Sequence, residues 1–317
     1  MESAVFAGIS SDLNGSCGRE GSVTPGGTYP MLYAFFDEAG ALRRNALTRQ
    51  IEAALRAGSA GVAILGLATE ANKLTRVEKR ALIEWTHVDL AGRAPLAVTV
   101  GEPNLTDMIE SARVARAAGA DWLILQPPRP PISSRELIRY FGAVAEAVDA
   151  PIGIQNAPEF LGVGLSPAEL VELNDVHPNV SIVKAEASAL VVGHLIDVLD
   201  RRMVVFNGRA GLELTDNYRA GVDGMIPGIE LIDLQCGVER AMRSGNDTEA
   251  EALYRHLLPF VAFAMQGIEH LVLHGKLLAA LRLGLVPSGR RIPSDPLTAR
   301  GEAWVRRFAG ELGPLVF

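Results

Sequence analysis

The sequence is poor in the features that mark several common classes of protein. Two cysteines occur in 317 residues, Cys17 and Cys236, and they form no C-x-x-C pair, which argues against a disulfide or zinc framework. No apolar run approaches the ~20 residues that a membrane span needs. The net charge is −7 without a basic stripe, so a nucleic-acid surface is not expected. The first residues lack the basic segment of a signal peptide. We therefore expect a cytoplasmic protein with no nucleic-acid or membrane partner.

Lysine is also scarce, which makes the position of each lysine informative. Four of the 30 Lys and Arg residues are lysine. Lys73, Lys79 and Lys276 occur in charged or helical stretches, where solvated lysines are expected. Lys184 instead ends the apolar stretch "VSIVK" and lies two residues before Glu186. Because burying an ammonium is costly unless it is paired or deprotonated, this position needs a reason.

Eight short apolar runs divide the chain, each followed by a polar or glycine-rich loop and then a helical stretch. They occupy residues 26–34, 61–67, 95–100, 121–126, 150–156, 180–184, 203–208 and 222–227. The runs are continuous rather than alternating, as in parallel strands that helices cover on both faces. Eight such units predict an α/β fold of the (β/α)8 TIM-barrel type. A doubly wound open sheet has the same local pattern, but no G-x-G-x-x-G or Walker loop supports a nucleotide-binding version.

The pattern also divides the chain into three segments. Residues 1–24 are rich in Gly and Ser without clear periodicity, and we expect an N-terminal arm there. The barrel is expected over residues 25–245. After Ser244 the strand pattern stops, and three apolar helical stretches predict a C-terminal helical extension over residues 246–317. An extension of this kind packs on the barrel or on a partner subunit.

Polar residues that end the apolar runs are candidates for chemistry, because active sites of this fold gather at the C-terminal ends of the strands. Lys184 ends the sixth run. Desolvation there would favour a neutral amine, which can attack a ketone carbonyl to form a Schiff base. The alternative is a structural ion pair with Glu186, which lies on the same face of an extended chain. Spacing alone leaves both interpretations open.

Two further loops carry polar residues of interest. After the second run, Gly66, Thr69 and backbone amides could hold a carboxylate at a helix N-terminus, or Thr69 could simply be an N-cap. After the fifth run, Gln155 could point towards the barrel mouth, or it could be a buried structural glutamine. His270 and His274 lie four residues apart, but the intervening Glu and the third ligand of a zincin are missing. No metal or cofactor is expected.

The ordered set of motifs resembles one family. The second run carries G-x-x-x-E at residues 66–70, Asn-x-Pro follows the fifth run at residues 156–158, and a lysine closes the sixth run in "IVKAEAS". Over about residues 26–310, the chain is similar to the dihydrodipicolinate synthase/N-acetylneuraminate lyase family of Schiff-base barrels. The resemblance implies a (β/α)8 barrel, often a homotetramer, with Lys184 as the imine-forming residue. It also implies that the substrate's 2-keto acid carboxylate is held by Leu67, Ala68 and Thr69.

Departures from the family pattern narrow the expected reaction. Aldolases and synthases of the family read Tyr-Asn-x-Pro, where the tyrosine relays a proton. Here that position is Gln155, and an amide has no titratable proton. The stretch "LQPPRPPIS", which begins at the end of the fourth run, lacks the aromatic residue that members of the family usually have after strand four. Glu159, Phe160 and Leu161 replace the Gly-Arg-Thr whose arginine binds the aldehyde substrate's carboxylate in dihydrodipicolinate synthases. Lysine biosynthesis is therefore not expected.

One branch of the family resembles this chain more closely. The 2-keto-3-deoxy-L-arabinonate dehydratases share Gln-x-Ala-Pro at strand five and a lysine followed two residues later by glutamate. This resemblance implies dehydration of a 2-keto-3-deoxy sugar acid through an imine on Lys184. Glu186 or a water would transfer the C3 proton, and Gln155 would orient the substrate. The other expected substrate contacts are Gly66, Asn156 and Asn207. A pyruvate-dependent aldolase and a non-catalytic ligand-binding barrel are the alternatives, and a homo-oligomer (dimer or tetramer) is expected.

Overall fold

The computed structural model describes residues 25–287 and 289–316, so the predicted N-terminal arm lies outside the described residues. Eight parallel strands form one sheet. They are β1 (Gly27–Thr28), β2 (Val62–Ile64), β3 (Leu96–Val100), β4 (Trp122–Leu125), β5 (Ile152–Asn156), β6 (Val180–Ala185), β7 (Val204–Asn207) and β8 (Gly224–Met225). Each strand falls within one predicted apolar run, except that β6 extends one residue further, to Ala185.

The sheet closes on itself. Its strand order is β1-β8-β7-β6-β5-β4-β3-β2, and Met31, shortly after β1, forms parallel bridges with both Ala63 of β2 and Gly228. On the β2 side, the N–H of Ala63 donates to the carbonyl of Pro30 and the N–H of Leu32 donates to the carbonyl of Ala63, both at 2.9 Å. The predicted (β/α)8 TIM barrel is therefore confirmed, and the C-terminal strand ends share one mouth.

Helices connect the strands in the expected alternation. They are α1 (Arg44–Ala57), α2 (Arg76–Leu90), α3 (Leu105–Ala117), α4 (Ser134–Ala147), α5 (Pro158–Leu161), α6 (Pro167–Val176), α7 (Ala189–Leu199), α8 (Leu214–Ala220) and α9 (Ile232–Arg243). Helices α2, α4 and α6 each begin with a capping box, in which a Ser or Thr and a Glu three residues later satisfy the first N–H groups. Helix α1 ends at Ala57 and is capped by Gly58, whose φ of 85° suits glycine.

An aromatic layer fills the barrel interior below the mouth. The rings of Tyr29, Trp122 and Phe206 contact one another, with centroids 5.5 to 5.6 Å apart. A glycine makes room for this layer, since a Cβ added at Gly61 would lie 2.1 Å from the ring of Tyr29. Lys184 is the register partner of Phe206 on the neighbouring strand. Its side chain therefore lies on the same inner face of the sheet as the aromatic ring.

Three helices follow the last strand and its helix: α10 (Asp247–Ala264), α11 (Ile268–Arg282) and α12 (Ala299–Leu312). Phe260, Leu278 and Phe308, one from each helix, are buried in a single cluster with residues of α9. Helix α11 also reaches the barrel mouth, because Lys276 Nζ lies 2.6 Å from Oε2 of Glu70, which follows β2. Each helix in the described part of the chain is either too short or too polar to span a bilayer.

Candidate active site

Lys184 and Glu186 form a buried ion pair at the C-terminal end of β6. Their side chains are 8% and 5% exposed, and Lys184 Nζ lies 2.5 Å from Oε1 of Glu186. This contact neutralises both charges, as the structural interpretation requires. It also places a proton acceptor directly on the amine, as an imine-forming lysine requires. The pair alone fits both interpretations, so its surroundings matter.

Two glutamine side chains connect this ion pair to the barrel mouth. Gln155 of β5 is 1% exposed and donates from Nε2 to Oε1 of Glu186 at 3.0 Å. Gln126, directly after β4, donates from Nε2 to Oε1 of Gln155 at 2.8 Å. Gln155 is thus a buried, hydrogen-bonded glutamine that nevertheless belongs to the Lys184 cluster. The sequence analysis missed Gln126, although it ends the fourth apolar run just as Lys184 ends the sixth.

A cavity of about 820 Å³ lies at the C-terminal ends of β2 to β5. Its wall includes Gly66, Leu67, Thr99, Gly101, Gln126 and Lys276. Among the described residues, Lys184, Glu186 and Gln155 are not part of this wall. They adjoin it through the side chain of Gln126, which both lines the cavity and bonds to Gln155. The amine of Lys184 is therefore linked through three side chains, those of Glu186, Gln155 and Gln126, to a space large enough for a small ligand.

The loop after β2 carries the predicted carboxylate contacts. The N–H groups of Leu67 and Ala68 have no acceptor among residues 25–287 and 289–316, and such unpaired backbone donors suit an anion. The two donors of Thr69 are already hydrogen-bonded within the protein. Its N–H donates to the carbonyl of Gly66 at 3.1 Å, and its hydroxyl donates to the carbonyl of Leu32 at 2.7 Å. The interpretation of Thr69 as an N-cap is wrong, because α2 begins at Arg76 behind a different cap.

Asn156 and Asn207, the two predicted asparagine contacts, both bond to backbone groups. Asn156 Nδ2 donates to the carbonyl of Leu165 and its Oδ1 accepts from the N–H of Leu165, both at 2.8 Å, which fixes the loop after β5. Asn207 Nδ2 donates to the carbonyls of Ala185 and Ala187 at 3.1 and 3.3 Å, beside the end of β6. Its Oδ1 is buried without a partner among the described residues. The substrate contacts of both asparagines stay predictions.

Two lysines near the mouth differ from their expected surroundings. The sequence predicts solvated side chains for Lys73 and Lys276, and this prediction is wrong. The two side chains flank Glu70, with Lys73 Nζ 2.5 Å from Oε1 and Lys276 Nζ 2.6 Å from Oε2. Burial lowers the pKa of Lys276, and the attraction of Glu70 opposes that shift. The pattern of α11 gave no sign of this contact, because its partner lies 206 residues away.

A further buried acid, Glu230, lies between β8 and α9. The hydroxyl of Tyr33 donates to Oε2 of Glu230 at 2.9 Å, and Oε1 has no partner among the described residues. Burial raises the pKa of Glu230, and burial together with the neighbouring carboxyl raises the pKa of Tyr33. Tyr33 follows β1 and Glu230 follows β8, so this contact joins the segments that follow these two neighbouring strands.

Known proteins resemble this chain over most of its length. The model of the Dihydrodipicolinate synthetase family matches residues 24–307. The 4-hydroxy-tetrahydrodipicolinate synthase of Methanothrix thermoacetophila is 29% identical over 295 residues, which cover 91% of this chain and 97% of the relative. YjhH of Escherichia coli K12, described as a probable 2-dehydro-3-deoxy-D-pentonate aldolase, is 26% identical over 244 residues, or 74% of this chain and 80% of the relative.

Solved structures agree with the family match. The dihydrodipicolinate synthase of Agrobacterium tumefaciens superposes with a TM-score of 0.82 at 28% identity, covering 91% of this chain and 98% of that one. YagE, a prophage protein of Escherichia coli K12 solved in complex with pyruvate, superposes with a TM-score of 0.84 at 25% identity, covering 90% and 98%. The chain therefore belongs to the dihydrodipicolinate synthetase family, and it is a lyase.

Proposed function

We propose that this lyase forms a Schiff base between Lys184 and a small 2-keto acid, and that it dehydrates a 2-keto-3-deoxy sugar acid. The observation that carries the proposal is the contact of Lys184 Nζ with Glu186 Oε1, 2.5 Å long, on the inner face of the barrel. It puts an amine and its proton acceptor together beside the mouth. The complex of YagE with pyruvate adds support, because pyruvate is itself a 2-keto acid.

Lys184 and Glu186 can carry imine formation between them. Transfer of the ammonium proton from Lys184 to Glu186 leaves a neutral amine, which attacks the C2 carbonyl to give a carbinolamine. The carbinolamine hydroxyl then leaves as water with the proton that Glu186 holds. A protonated imine remains, and Glu186 is a carboxylate again. The positive charge on the imine acidifies the C3 hydrogens of the substrate.

Elimination of water can use the same carboxylate. Glu186, or a water beside it, removes a C3 proton and gives the enamine. The enamine expels the C4 hydroxyl, which leaves as water with the proton just taken up. Hydrolysis of the conjugated imine frees the product and regenerates the amine. No step needs a phenol, so Gln155, which cannot relay a proton, is compatible with dehydration.

The substrate carboxylate is proposed to lie on the loop after β2. The unpaired N–H groups of Leu67 and Ala68 support this placement, and Gly66 and Leu67 line the cavity. We also propose Thr69, Asn156 and Asn207 as residues that shape the site, with Gln155 orienting the bound substrate.

A pyruvate-dependent aldolase is the second candidate, and the similarity to YjhH favours it. Incubation with 2-keto-3-deoxy-L-arabinonate separates the two reactions. Dehydration gives a keto acid that has lost one water and releases no pyruvate, whereas aldol cleavage releases pyruvate. Lys184→Ala is the control and should give neither product. A wild-type protein that converts no 2-keto acid would contradict both candidates and favour a ligand-binding barrel.

We further propose how the chain is organised. Residues 25–245 form the barrel and residues 246–317 a three-helix extension packed on it, with the contact between Lys276 and Glu70 as one attachment. A homodimer or homotetramer is proposed from the family resemblance. The exposed apolar side chains of Leu190 and Val191 on α7 offer one surface for a second copy. A cytoplasmic location is proposed from the composition alone.

A further inference from the structure

We infer that Gln126 determines substrate specificity: it accepts a hydrogen bond from a hydroxyl group of the substrate and, at the same time, orients Gln155 towards Glu186. The inference rests on the proposed imine-forming function. It concerns a residue that belongs to none of the motifs described in the sequence. It follows from the direction of the hydrogen bonds that lead from the ion pair to the cavity.

The carboxylate of Glu186 fixes that direction. An ionised carboxylate only accepts hydrogen bonds, so Gln155 must turn its Nε2 towards Glu186, at 3.0 Å. The Oε1 of Gln155 then faces Gln126, which must donate from its own Nε2, at 2.8 Å. Each amide orientation is thus set by the neighbour that lies closer to Lys184.

Gln126 is the residue at which this series of hydrogen bonds reaches the cavity. Its side chain lines the cavity, whereas Gln155 is not part of the wall. Because Nε2 of Gln126 donates to Gln155, its Oε1 points away from Gln155. This oxygen accepts no hydrogen bond from any group in the described part of the chain. Gly101, another wall residue, leaves space beside this oxygen, since a Cβ added there would lie 2.6 Å from it. The cavity surface therefore carries a hydrogen-bond acceptor at this point.

An acceptor at this position selects among 2-keto acids. A hydroxyl can donate to Oε1 of Gln126, whereas a carbonyl or a methylene group cannot. A 2-keto-3-deoxy sugar acid carries hydroxyls from C4 onwards, so such a substrate can make this bond and pyruvate cannot. One hydrogen bond of this kind is expected to strengthen binding by about three- to tenfold.

Two ligands that differ by one hydroxyl test the contact. We would titrate the full chain calorimetrically with 4-hydroxy-2-oxopentanoate and with 2-oxopentanoate. The wild-type protein should bind the hydroxylated acid about three- to tenfold more tightly. Gln126→Leu should bind both acids equally. Gln126→Glu should keep the preference, because a carboxylate still offers an acceptor. A purely structural role for Gln126 would instead weaken the binding of both acids by the same factor.

The orienting role has its own readout. Gln126→Glu cannot donate to Oε1 of Gln155, so kcat for a 2-keto-3-deoxy sugar acid should fall while KM stays close to that of the wild type. An unchanged kcat in this variant refutes the orienting role. Equal affinity of the wild type for the two pentanoates, or an undiminished preference in Gln126→Leu, overturns the hydroxyl contact. Borohydride trapping with pyruvate is measured in parallel: a hydroxyl preference without any trapped adduct contradicts the imine mechanism and leaves the contact standing.

Discussion

Replacing Glu186 by glutamine tests how strongly the ion pair of β6 is coupled. The substitution keeps the size of the side chain, and its amide oxygen can still accept the hydrogen bond from Gln155. It removes a negative charge 2.5 Å from Lys184 Nζ. At that distance and an effective dielectric constant of ~20, the attraction is about 7 kcal/mol. Desolvation of both groups offsets part of this energy, and breaking a buried pair usually costs ~3–5 kcal/mol. We expect Glu186→Gln to lower the free energy of unfolding by about that amount.

A double-mutant cycle separates the pair from other effects of the substitution. The four proteins are the wild type, Glu186→Gln, Lys184→Met and the double variant, which has neither charge. Urea denaturation, monitored by circular dichroism, gives the free energy of unfolding of each protein. We expect a coupling energy of about 2–3 kcal/mol between the two sites. A coupling below about 0.5 kcal/mol would refute the reasoning, because residues in contact inside a barrel cannot then be interacting as charges.

Two further predictions concern stability. A hydrogen bond from Arg291 lowers the pKa of Glu78 from 4.5 to about 2. The unfolded state therefore binds a proton at Glu78 more readily than the folded state does. The stabilisation that the pair with Arg291 gives the folded state is present above pH 4.5 and is lost as the pH falls towards 2. Glu78→Gln should therefore lower the free energy of unfolding by about 1 kcal/mol at neutral pH, and the difference in urea denaturation should shrink in acid; a constant difference would contradict the pairing. Gly61→Ala should destabilise by about 1–3 kcal/mol, because the new Cβ would meet the ring of Tyr29. Gly310→Ala, where nothing lies within 4 Å, is the control and should be neutral or stabilising. Equal thermal stability of the two alanine variants would refute the aromatic layer.

The barrel was predictable because buried parallel strands are continuous apolar runs. The predictions were least accurate at β1 and β8, where runs of 26–34 and 222–227 contain only the two-residue strands Gly27–Thr28 and Gly224–Met225. Strand β1 pairs with β8 over these two residues only, and the sheet closes against β2 through an isolated bridge between Met31 and Ala63. An apolar run indicates which residues are buried. Residues beyond the end of the hydrogen-bonded strand are buried as well, so the run is longer than the strand.

The site was only partly predictable. Spacing in an extended chain was enough to pair Lys184 with Glu186, because both lie on one strand. The bond between Gln126 and Gln155 depends on the register of β4 and β5, and glutamine carries no motif. The contact of Lys276 with Glu70 joins a late helix to an early loop, so local pattern could not reveal it. Contacts between distant segments arise only when the barrel has closed.

Reductive trapping is the measurement that tests the central claim most directly. The full chain is incubated with pyruvate and sodium borohydride, and its peptides are mapped by mass spectrometry. The account predicts a single adduct, on the peptide that contains Lys184, and no adduct in Lys184→Ala. An adduct on Lys73, Lys79 or Lys276, the three lysines that line the cavity, would contradict it. The absence of any adduct on the wild-type protein would contradict it as well.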